Sequence, residues 1–181
     1  MHDMTAMHLR SAYGGESMAH MRYKIWGDRA GKDGFPNVAR LFLASSHSEH
    51  IHAWNHFLQL RNEPGAGLVT SGAGFGLGST AENLQAAVNG ERFEIEEMYP
   101  VYQAAAELQA EDGAARSFLF AIAAEKVHAD LFTSANEAVS GGLDLDIDEI
   151  HVCDMCGFMV EGAAPDTCPM CGASKDKFIQ F

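Results

Sequence analysis

The sequence predicts an all-α four-helix bundle joined to a small C-terminal metal-binding module. Three observations carry this reading. Residues 1–142 are rich in Ala, Glu, Leu and Met, with apolar positions recurring at helical spacing. Two tight turns and one long connection divide that stretch into four segments. All four cysteines of the chain lie beyond residue 150, as two CxxC pairs.

The first helix is expected over about residues 4–31, ended by the Gly/Lys/Asp/Gly cluster at 31–34. Pro36 suits the first turn of a second helix that runs to about 61. The segment NEPGAGLVTSGAGFGLGST follows, Gly-rich and without periodicity. It lacks the Gly-Lys-Ser/Thr ending of a phosphate loop and follows no predicted strand, so a crossover connection is the better reading. Ser79 and Glu82 form a capping box that opens a third helix, continuing to about 111 and broken near Gly113. The fourth runs from about 114 to 139 and stops at Ser140-Gly141-Gly142. Tight, long, tight is the connectivity of ferritin-like bundles. Beyond it LDLDIDEIHV alternates with period 2, a flexible acidic linker running into a strand. The domain boundary is therefore expected at 142, with the bundle in 1–142 and the module in 143–181.

The formal net charge of −13 argues against nucleic-acid and anionic-membrane partners, which require basic patches. No run approaches the roughly 20 apolar residues of a membrane helix. The start, MHDMTAMHLRSAY, has no apolar targeting core, so a cytoplasmic location is expected, where cysteines stay as thiols.

Cys153, Cys156, Cys168 and Cys171 form two CxxC knuckles, with Gly157 and Gly172 relaxing the backbone so that amides can face sulfur. Four thiolates satisfy one tetrahedral ion. Spacing alone does not separate zinc from iron and by itself favours zinc, a choice that a helical domain carrying a redox site reverses.

The bundle carries a second set. Glu49 and His52 are spaced ExxH on the second helix, as are Glu125 and His128 on the fourth; Glu16 lies on the first and Glu91 on the third. Residues at i and i+3 project from one helix face, so each pair aims two groups at one point. One Glu from each of two helices plus ExxH from each of the other two is the dimetal plan of ferritin-like bundles, and Glu94 is a carboxylate beyond it. Carboxylate oxygens with one imidazole per metal suit iron or manganese better than zinc. Several buried carboxylates would repel one another unless cations lay between them.

With AYGGESMAHMRY, KDGF, SEHIHAWNHF, GERFEIEEMYP, AEKVHADLF and CDMCGFMVEGAAPDTCPMC, the chain strongly resembles rubrerythrins over almost its whole length. The resemblance implies a ferritin-like di-iron domain followed by a rubredoxin-like domain in which four cysteines hold one iron, with zinc a possible substitute. It implies di-iron ligands at Glu16, Glu49, His52, Glu91, Glu94, Glu125 and His128, with Glu49 and Glu125 bridging. It implies an iron that exchanges Glu94 for His52 on reduction, and tyrosines near the site at Tyr23 and Tyr99. The implied activity is reduction of hydrogen peroxide to water in oxidative stress defence, with electrons relayed through the four-cysteine iron. The implied partners are rubredoxin or an NAD(P)H-dependent reductase as donor, and a second copy in a homodimer or larger assembly. The tail is expected to dock beside the di-iron site of that second copy.

SHSEHIHAWNHF remains a crowded stretch. Glu49 and His52 are the expected ligands, while His47 and His50 are expected to face solvent or a subunit contact. His56 lies one turn beyond His52 on the same stripe, beside the site or in it. Two rivals stand beside the peroxidase: a ferroxidase or iron-handling protein, against which the redox tail argues, and a non-catalytic module holding zinc. Colour separates the last, since ferric iron on four thiolates is red and zinc is colourless.

Overall fold

The computed structural model describes residues 1–181. Five α-helices form the bundle: α1 Asp3–Asp33, α2 Pro36–Gln59, α3 Thr80–Phe93, α4 Tyr99–Leu108 and α5 Asp112–Ser140. A π-helical turn, Glu94–Met98, joins α3 to α4 in one rod, so the bundle has four layers of helix. A three-stranded antiparallel sheet forms the module, in the order β2-β1-β3, from β1 Ile150–Cys153, β2 Met159–Glu161 and β3 Phe178–Gln180. The expected fold class is the one observed.

Each long helix runs apolar, polar, apolar along its inward face. Leu9 and Ala12 on α1 join Tyr99 and Phe118 in one core. Tyr23, Trp26, Phe42 and Phe132 make the other, with Tyr23 and Phe42 each 5.2 Å from Phe132 between ring centroids. Between these two cores lie Glu16, Glu49, His52, Glu91, Glu125 and His128, all at 1% exposure or less. The polar layer is thus sealed above and below.

The third helix is expected as one uninterrupted element, and here the structure differs. Pro100 has no N–H to give to residue 96, and its ring would clash with that carbonyl in a regular helix. The turn widens instead, and the Tyr99 amide bonds back to Glu94 O, five residues away. The break before α5 falls at Gln109–Glu111, where Ala110 has φ 54, and not at Gly113. Gly113 lies inside α5, where Gln59 packs on the space a Cβ would fill.

The crossover between α2 and α3 lies along α1, with the Ser11 hydroxyl donating to Thr70 O and the Trp26 indole to Gly76 O. The acidic linker is not free, contrary to expectation. The Asp144 carboxylate accepts from the Asn37 and Val38 amides, an anion at the N-terminus of α2. Leu145 and Ile147 turn inward, and Arg40 donates to Ile147 O at 2.7 Å. Period-2 alternation in LDLDI puts those two apolar side chains on one side, and the helix terminus holds Asp144, the acid just before them.

Candidate metal centres

Six of the seven expected bundle ligands converge. Glu16, Glu49, His52 and Glu125 bring donor atoms within 4.8 Å of one another, as do Glu49, Glu91, Glu125 and His128. Glu49 and Glu125 belong to both groups, the geometry of carboxylates shared by two ions. His52 Nδ1 lies 3.0 Å from Glu49 Oε2 and 2.9 Å from Glu125 Oε1, and His128 Nδ1 lies 2.7 Å from Glu125 Oε2. Yet both Glu125 oxygens and both His128 nitrogens are off the hydrogen-bond line and have no partner. Buried polar atoms left in that state cost about 1–3 kcal/mol each. Atoms that approach without pointing at each other fit ligands aimed at a common ion, and this donor set suits iron.

Electrostatics agrees. Burial pushes the Glu16 and Glu94 carboxyls well above the usual range, and neighbouring carboxylates push further. Burial, then the charges of Glu125 and Glu49, lifts Glu91 to about 8. Burial opposes ionisation of Glu49 and Glu125 too, but His128 and His52 hold both below their ordinary value. Burial likewise opposes the charged imidazoles, and Glu125 and Glu49 overcome it, raising His52 to about 9 and His128 well above its usual value. Only cations can make so many adjacent carboxylates ionise together.

Glu94 stands apart. It lies in the π turn, is half-buried and joins neither group. Tyr23 donates to Glu91 Oε1 at 2.5 Å and Tyr99 donates to Glu16 Oε1, so both tyrosines orient site carboxylates.

His56 is wholly buried and is in neither donor group, its Nε2 being 3.9 Å from Glu16 Oε1. Burial, then the charge of His52, pushes its pKa down to about 3, so the ring is neutral. Its Nε2 lies 3.1 Å from the Tyr99 hydroxyl and its Nδ1 2.8 Å from Ser117 Oγ. Sequence reasoning missed Ser117; its trace is a lone hydroxyl on the apolar face of SFLFAIAAE, eight residues before Glu125. His50 is exposed as expected, but His47 is not turned to solvent: it lies 3.3 Å from Asp154 and packs on Phe181. The cysteine module covers that part of α2.

In the module, Cys153–Cys171 and Cys156–Cys168 sulfurs are each 3.7 Å apart. That matches the edge, about 3.8 Å, of a tetrahedron with metal–sulfur bonds of about 2.3 Å. The Gly157 amide bonds to Cys153 O and the Gly172 amide to Cys168 O, with φ of 82° and 77° turning each knuckle. The hydrogen bond from Cys156 draws the Cys153 thiol down to about 5, while burial pushes Cys171 up to about 11.

The module lies against α2 of its own chain, where docking on a second copy was expected. Ser48 Oγ donates to Gly157 O at 2.6 Å and Asn55 to Met155 O at 3.1 Å. A Cβ on Gly157 would strike His52 Nε2. The His52 ring therefore turns Nδ1 to the carboxylates and Nε2 to the cysteine knuckle, and spans the two centres.

Comparison with known proteins agrees with this geometry. The rubrerythrin family model matches residues 8–136, and that of the rubrerythrin rubredoxin-like domain matches 151–179. Rubrerythrin-2 of Clostridium acetobutylicum is 49% identical over 98% of this chain and 97% of its own length. Nigerythrin of Nitratidesulfovibrio vulgaris is 32% identical over 98% of this chain and 86% of its own. A solved structure described as the fully reduced, all-ferrous state of nigerythrin superposes with a TM-score of 0.87 at 29% identity, covering 100% of this chain and 88% of that one. With a Glu/His cluster for a di-iron site and four cysteines for a rubredoxin-like iron, the chain belongs to the rubrerythrin family.

Proposed function

We propose that this protein reduces hydrogen peroxide to water, with electrons passed to the bundle from the four-cysteine iron. The observation that carries the reading is the His52 ring, in contact with the carboxylate cluster on one edge and the Gly157 backbone on the other. A storage protein has no use for such a contact, whereas an enzyme that must be re-reduced after each turnover does.

Two irons in the bundle would supply the electron pair that cleaves the O–O bond, and the four-thiolate iron would return electrons singly. The chain's own part is to hold and exclude. Glu49 and Glu125 would bridge, with Glu16 and His52 at one position and Glu91 and His128 at the other. Glu94, outside both groups, and His52, inside one, fit the carboxylate-for-histidine exchange that reduction brings in this family. Tyr23 and Tyr99 hold Glu91 and Glu16 in place, and the two apolar cores keep bulk water out. The reading further takes residues 1–142 and 143–181 as the two domains. It places the protein in the cytoplasm as a homodimer or larger, with rubredoxin or an NAD(P)H-dependent reductase as donor.

Anaerobic stopped-flow of the fully reduced, iron-loaded protein tests this. Peroxide should reoxidise it far faster than oxygen at equal concentration; the opposite order would sink the reading in favour of ferroxidase chemistry. Substituting His52 by Ala should slow re-reduction of the bundle irons by at least about tenfold, since it removes a metal-site group and the contact that spans the two centres. His50→Ala, on the exposed side of α2, should leave every phase unchanged. Equal behaviour of the two variants would refute the assignment.

A further inference from the structure

Reduction of one peroxide to two waters consumes two electrons and two protons. The electrons have a route through the cysteine module; the protons need one through a site sealed between two apolar cores. Resting on the peroxidase reading, we propose that Ser117, His56 and Tyr99 form a proton wire from a surface cavity to Glu16 at the di-iron site.

The hydrogen bonds are directional. Tyr99 donates its only proton to Glu16 Oε1, so its oxygen must accept from His56 Nε2 at 3.1 Å. With the ring proton on Nε2, Nδ1 is the acceptor and Ser117 donates to it at 2.8 Å. Every donor from Ser117 inward therefore points toward the site. All four residues are at 5% exposure or less, so no bulk water short-circuits the chain. Neither His56 nor Ser117 belongs to a ligand group, and the metal plan gives neither a task.

The outer end is open. Ser117 lines a cavity of about 440 Å³ between the bundle and the cysteine module, beside Asn55, Arg116, Met155 and Cys171. Arg116 and Met155 at its rim are exposed. In one passage, a hydronium ion in the solvent-open cavity gives a proton to Ser117, leaving water, as Ser117 gives its own to His56 Nδ1. His56 Nε2–H passes to Tyr99, and the Tyr99 proton to Glu16. One proton enters and one arrives, and each of the three carriers holds as many protons as before. The ring is left in its other tautomer, so the chain must turn back before the second proton follows.

Ser117→Ala breaks the wire with one atom removed, and Ser117→Thr restores the hydroxyl. In full-length, iron-loaded, reduced protein, Ser117→Ala should slow reoxidation by peroxide by about tenfold or more, and Ser117→Thr should recover most of that loss. A second readout needs no turnover. In the full-length chain loaded with zinc, nitrogen-15 NMR should find His56 as the Nε2–H tautomer, its N–H exchanging with water about tenfold more slowly in Ser117→Ala. An Nδ1–H tautomer, an exchange rate unmoved by Ser117→Ala, or unchanged reoxidation at wild-type iron content would each overturn the wire. Failure of the wild-type protein to reduce peroxide would instead remove the peroxidase reading, and the zinc-loaded measurement would still judge the wire.

Discussion

Removal of the bundle metals is expected to lower the melting temperature by roughly 15 °C or more, and by more at pH 9 than at pH 6.5. Two ions, each at about 1,000 times its dissociation constant, stabilise by about 4 kcal/mol apiece. In a chain of this size each kcal/mol shifts the midpoint by roughly 2–4 °C. The pH dependence follows from the groups left behind. Glu91 is raised from 4.5 to about 8, so its protonated folded form gives stability that is fully present below pH 4.5 and lost by about pH 8. His52 is raised from 6.5 to about 9, and its contribution is lost over that interval. Glu49 and Glu125, shifted down, contribute above 4.5 and lose stability only on acidification. The stripped protein should therefore weaken as pH rises from 6.5 to 9. The loaded protein should not, because metal ligands must be deprotonated and binding tightens with pH. Calorimetry of both forms at the two pH values checks this, and a gap that narrows at pH 9 would contradict it.

Gly157→Ala is expected to uncouple the two iron centres while leaving each one assembled. Alanine at φ 82 costs about 1–2 kcal/mol in backbone strain, and its methyl would occupy the place of His52 Nε2. The knuckle must retreat from α2, losing the Ser48 bond to Gly157 O. Transfer from the four-thiolate iron to the bundle should slow several-fold, because electron tunnelling falls off exponentially as the gap between the two centres widens and the contact with His52 is lost. Gly172→Ala is the control: φ is 77, but nothing lies within 4 Å of its added methyl, so it carries the same strain without the collision. Stopped-flow absorbance of the iron–thiolate chromophore separates them. Equal losses in the two variants would mean that strain in the knuckles, and not contact with His52, governs the transfer.

The convergent ligands were legible because they are spaced by the helix period. Glu49/His52 and Glu125/His128 sit three residues apart, so the pattern itself states a shared face. The cysteine knuckles were legible for the same kind of reason, local spacing closing a local turn. What the sequence concealed depends on contacts between distant segments. His47 was expected at solvent or a subunit contact because nothing near it in sequence shows that Asp154 and Phe181 of the same chain lie against it. The linker looked mobile because LDLDID is acidic, while its anchor, the α2 N-terminus, lies more than 100 residues earlier. Ser117 and His56 are 61 positions apart, and only the packing of α5 on α2 makes them partners.

The π turn at Glu94–Met98 acts as a phase shift. A helix advances about 100° per residue, so the one extra residue it absorbs re-indexes everything after it against everything before. Glu91 is set by the register of α3, and Tyr99 by the register of α4. Deleting one residue between 94 and 98 would swing Tyr99 by about 100° away from Glu16, even with every ligand residue retained. The third helix therefore keeps two clocks, one timed to the metals and one timed to the tyrosine that serves them.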